Sequence, residues 1–136
     1  MKKGTIVDPR AVLSELAYAL RVLHQRLLAA TQMDFEKLHG RVESPGALLQ
    51  LVVNDPLFAW LRPLSRLIAE LDERGSEEVD GATLDAARKS VARLIDEPND
   101  FRATYLVYLQ SNADAVIAHA AVRALVPPSV RARAAQ

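Results

Sequence analysis

From Arg10 to His39 the chain contains no glycine and no proline. Within that stretch Leu13, Leu16, Leu20, Leu23 and Leu27 recur at alternating intervals of three and four residues. This is the period of an α-helix, so the leucines share one face. A face so apolar must be buried against neighbouring elements, and a long helix of this kind calls for helical partners. After Leu28 the stripe shifts to Thr31, Phe35 and Leu38. The shift predicts a bend or break near Thr31–Asp34.

The partners are legible from their punctuation. Asp8-Pro9, Ser44-Pro45 and Asp55-Pro56 each set a capping side chain before a proline suited to the first helical position. Asp80 or Thr83 marks another start, and Asn99 with Asp100 one more. His39-Gly40 and Arg74-Gly75 place a basic side chain and then a glycine at helix ends. A short helix is expected over about 45–53. The next seam runs through Leu57, Leu61, Leu64, Ile68 and Leu71. A helix over about 82–96 turns Leu84, Ala87, Val91 and Leu94 inward. The last, over about 100–125, buries Tyr105 or Leu106, then Leu109, Ala113, Val116 and Ala120.

No segment alternates apolar and polar residues as a strand does. The expected fold is all-α: an up-down four-helix bundle over residues 9–126, with one additional short helix and a proline-kinked second long helix. Residues 1–8 read as a flexible N-terminus and 127–136 as a frayed basic C-terminal tail. The kink belongs to Pro63, seven residues after Pro56 and inside an unbroken apolar seam. It is expected to remove the hydrogen bond to the Ala59 carbonyl and bend the helix. Such a bend either wraps the helix around the core or opens a gap beside Trp60.

Composition narrows the function classes. A chain of 136 residues, half of them hydrophobic, makes one domain with a sizeable core. Lys+Arg and Asp+Glu both number 17, so no net field draws the chain to nucleic acid or an anionic membrane. Arg62, Arg66 and Arg74, and the C-terminal Arg123, Arg131 and Arg133, read as solvated faces. There is no cysteine, which removes disulfides, zinc–thiolate sites and cysteine nucleophiles. No apolar run long enough for a secretory signal follows the first lysines, and no membrane span is expected. A cytoplasmic location is the expectation.

The stretch Leu48-Leu49-Gln50-Leu51, then Asn54-Asp55-Pro56-Leu57-Phe58-Ala59-Trp60-Leu61-Arg62-Pro63-Leu64-Ser65, resembles a block found in a group of small bacterial helical proteins. His39-Gly40-Arg41-Val42 before it, and Tyr105, Leu109-Gln110 and Ala118-His119 after it, are similar too. The resemblance implies a helical bacterial protein. No activity, cofactor or site residue comes with it.

Chemical motifs are sparse. Glu36 and His39 form a single Glu-x-x-His, and a carboxylate-bridged metal bundle needs two with further inward glutamates. No serine lies in a nucleophile elbow, and Ser65 sits in a helix where its hydroxyl can bond a preceding carbonyl. The glycines form no phosphate loop. No catalytic residue, metal site or cofactor is assigned. In an up-down bundle His24 is level with Asn112, with Tyr108 one turn away. Four candidate ligand-binding residues follow: His24, Trp60, Tyr108 and Asn112. Leu57, Phe58, Trp60 and Leu61 crowd more than one helix face and make a candidate interface. The expected function is non-enzymatic, through protein–protein contacts, as a homodimer. The alternative is a bundle that binds an apolar small molecule in a pocket near Trp60 and Pro63.

Overall fold

The computed structural model describes residues 8–128. The expectations for residues 1–7 and for the tail from Ser129 lie outside that range. The described chain is all-helical: α1 Pro9–His39, α2 Pro45–Asn54, a 3-10 helix Pro56–Leu61, α3 Arg62–Gly75, α4 Gly81–Asp96, α5 Asp100–Ser111 and α6 Ala113–Ala124. α1 is the central element and packs against α3, α4 and α6. Its leucine seam is buried over its whole length, with Leu16, Leu20, Leu23 and Leu27 fully enclosed. α3, α4 and α6 meet it with Leu64, Leu71, Ala87, Val91, Ala115 and Val122.

The capping signals act locally as their chemistry dictates. The side chains of Asp8, Ser44, Asp55, Asp80, Asn99 and Asn112 each accept a backbone N–H at the start of a helix. Asp80 and Thr83 cap reciprocally. α1 ends at Gly40, whose φ of 90° favours glycine. Glu36 helps to seal that end by accepting the Val42 N–H at 2.8 Å. That bond is the chief cause holding its carboxyl below the usual range.

Three expectations are corrected. α1 does not break near Thr31–Asp34. Thr31 is buried, donates to the Leu27 carbonyl within the helix and accepts from Trp60. The stripe shifts there because α1 acquires a new partner: Phe35 meets Phe58 of the 3-10 helix, ring centroids 5.8 Å apart. Second, Pro63 does not kink a continuous helix. The chain runs as a 3-10 helix to Leu61 and becomes α-helical at Arg62, with Pro63 in the first turn. First-turn N–H groups lack intrahelical partners, so the missing proton of Pro63 costs nothing. The Ala59 carbonyl is not orphaned either, since it accepts the Arg62 N–H.

Third, the last long helix is two helices. Asn112 leaves the helical conformation and caps α6 by accepting the Ala115 N–H at 3.0 Å. The break resets the helical phase. Ala115, Ala118 and Val122 are therefore buried, and the expected Ala113, Val116 and Ala120 face outward.

Candidate functional site

The segment 54–65 joins α2, the 3-10 helix and α3. Asp55 caps the 3-10 helix through the Leu57 N–H at 2.9 Å. Phe58 and Leu61 are each 1% exposed. Arg62 donates to the Val53 carbonyl at 2.8 Å and ties the end of α2 to the start of α3. Two of the four candidate interface residues, Phe58 and Leu61, are thus spent inside the chain. Leu57 and Trp60 are half-buried beside them. Contact with a partner through this set would require the core to open.

Trp60 and Tyr108 do come together. Their rings stack with centroids 5.1 Å apart and planes inclined by 1°. Trp60 also stacks on Phe101 at 5.4 Å, and Phe101 on Tyr105 at 5.3 Å. The indole N–H donates to Thr31 Oγ1 at 3.2 Å, and the Tyr108 hydroxyl donates to Asp34 at 2.7 Å. Burial, helped by the Asp34 carboxylate, raises the Tyr108 pKa. The two polar handles face α1 and lock the aromatic stack to it.

His24 and Asn112 do not join this cluster. Asn112 is the α6 cap. His24 Nε2 lies 2.9 Å from Ser65 Oγ on α3. Burial lowers the His24 pKa. One turn away, Arg21 on α1 pairs with Asp72 on α3. Arg21, His24, Ser65 and Ile68 line an open pocket of about 250 Å³. The expectation of a His24–Asn112–Tyr108 set assumed that helix level alone decides partners. The break at Asn112 removed that level, and α3, not the last helix, covers His24.

A larger groove, about 570 Å³, opens beside Pro63. Its floor is Leu67, Leu94 and Phe101, and its walls carry Arg66, Glu70, Arg93 and Glu97. Trp60 is not among its lining residues, and charged side chains share the lining with apolar ones. Among the described residues no group of three or more His, Asp or Glu side chains is placed to hold a metal ion. None of the described helices is long and apolar enough to cross a membrane.

Sequence reading missed a second polar network. The Tyr105 hydroxyl lies 2.5 Å from His119 Nδ1, Arg123 Nε donates to His119 Nε2 at 3.3 Å, and Arg123 pairs with Asp96. An arginine Nε–H can only donate, so His119 Nε2 accepts and Nδ1 carries the proton. Burial lowers the His119 pKa, and the Arg123 charge lowers it further. Burial also raises the Tyr105 pKa. The available signal was the spacing of His119 and Arg123, four residues apart on one face.

The second omission is a surface. Six of the ten residues of α2 are aliphatic, none is charged, and none is buried. Leu49 is 60% exposed and Val53 57%. Near it on the chain, at the end of α1, Met33 is 59% exposed and Leu38 73%, although Leu38 was expected on the inner stripe. α2 packs chiefly on the short 3-10 helix. The signal was present in Leu48, Leu49, Leu51, Val52 and Val53, which spread over about 200° of one short helix and cannot share a single narrow seam. Compared with known proteins, the chain matches no family model, no curated protein and no solved structure.

Proposed function

We propose that the protein acts through protein–protein contacts, as a homodimer, with α2 as the contact element. In this reading α1, α3, α4 and the α5–α6 pair form the bundle, and α2 lies outside it as its adhesive edge. The supporting observation is the uncharged, aliphatic α2 with no buried residue. An apolar helix face this broad is ordinarily enclosed, and one left exposed marks a contact surface. A second copy supplies an equally apolar helix under two-fold symmetry, the commonest form of self-association.

Light scattering across micromolar concentrations tests this. Wild-type protein should give twice the chain mass of 15.0 kDa. Leu49→Asp with Val53→Asp should return it to a single chain with its helical circular dichroism intact. A single-chain mass for the wild type at every concentration would refute self-association. A dimer indifferent to both aspartates would move the contact away from α2.

A further inference from the structure

We propose that Ser65 is a nucleophile with His24 as its general base, forming an acyl-accepting site at the seam between α1 and α3 that takes small activated esters. It is separate from α2 and does not rest on the contact reading.

Nucleophilic serine chemistry needs a base within hydrogen-bond reach and a place for the substrate. Ser65 Oγ and His24 Nε2 are 2.9 Å apart, although the residues are 41 positions apart in the chain. The alternative acceptor of the serine proton, the Leu61 carbonyl, is more distant at 3.4 Å. Ser65 is exposed, so its hydroxyl is open to a reagent, whereas His24 is half-buried. That burial holds the imidazole in its neutral, proton-accepting form at pH 7. Both side chains open onto the pocket of about 250 Å³, large enough for an acetyl group. Arg21 lines the same pocket, steadied through one terminal nitrogen by Asp72. Its remaining N–H groups can face the oxygen that gains charge as the carbonyl is attacked. Ile68 supplies an apolar wall.

The step balances without an oxidant or reductant. Ser65 Oγ bonds to the ester carbonyl carbon while its proton passes to His24 Nε2. The bond from that carbon to the leaving oxygen breaks, the alcohol or phenol departs, and the proton leaves His24 for the leaving group or for solvent. The product is an ester on Ser65.

The test is acetylation of the full chain by p-nitrophenyl acetate, mapped by peptide mass spectrometry. Ser65 should acquire an acetyl group faster than Ser14, Ser44, Ser76 or Ser111. Ser65→Ala should lose that adduct. His24→Gln should slow it by about 100-fold or more, the contribution of a positioned base. Imidazole added to His24→Ala should restore part of the rate, which a merely structural histidine would not allow. Urea unfolding of each variant keeps loss of fold apart from loss of chemistry. Acetylation of Ser65 no faster than that of Ser14, or an unchanged rate in a folded His24→Gln, would overturn the proposal.

Discussion

His119 sits between Tyr105 and Arg123, and burial, aided by the Arg123 charge, keeps its pKa low. A second proton would set an N–H on Nε2 against the Arg123 N–H, so the folded chain resists it. His24 resists protonation through burial alone. Both folded pKa values therefore lie below the ordinary 6.5. As pH falls through about 6.5 the unfolded chain takes up protons that the folded chain refuses, and unfolding becomes easier. Stability should thus be lower at about pH 5.5 than at about pH 7.5, before the carboxylates titrate. Urea midpoints at the two pH values check this. His119→Gln combined with His24→Gln should flatten the dependence, and equal midpoints in the wild type would contradict the burial of both rings. His24 was legible from the sequence as a shoulder residue of the leucine seam. Its partner was not, because Ser65 becomes its neighbour only once α3 has docked. Trp60 and Tyr108 were legible as candidates singly, but their stacking depends on the turn that brings α5 over the 3-10 helix.

At the scale of elements, helix starts were the most readable feature, since each is a local bargain between one side chain and one or two backbone N–H groups. Asp55-Pro56 illustrates this, as does Asp80 with Thr83. Continuity was less readable. The seam Leu57, Leu61, Leu64 was read through a change from 3-10 to α geometry; residues three apart eclipse in a 3-10 helix, so Phe58 is buried with Leu61 and Leu57 is left half-buried. The opposite error arose at Asn112, where a continuous pattern was read through a cap. Asparagine is tolerated within helices, and the break shows only in the folded chain, in its extended backbone and its acceptance of the Ala115 N–H. Pro63 now has a definite prediction. In the first turn of α3 it loses no hydrogen bond and restricts the unfolded chain, so Pro63→Ala should destabilise by about 0.4–1 kcal/mol. Thermal unfolding measures the change. A variant that melts higher would mean that proline strains the junction and that a continuous helix is the preferred form.

Across the whole molecule, the all-helical class followed from periodicity, while the outer surface did not. Periodicity says which face of a helix is apolar. It does not say whether this chain supplies the cover. The leucine face of α1 is covered by α3, α4 and α6. Among the described residues the aliphatic surface of α2 has no such cover, and Phe58 and Leu61, candidates for the interface, are enclosed instead. The exposed apolar area is thereby moved from the 3-10 helix to its neighbour, and the contact proposal moves with it. The absence of cysteine makes a direct test simple. Ala47→Cys places one spin label on an exposed position of α2, and dipolar coupling can then arise only between copies. If α2 is the contact element, labelled protein should show a defined intermolecular distance that disappears when Leu49→Asp and Val53→Asp are added. Protein that shows no dipolar coupling at concentrations well above micromolar, or a distance untouched by those substitutions, would contradict the assignment.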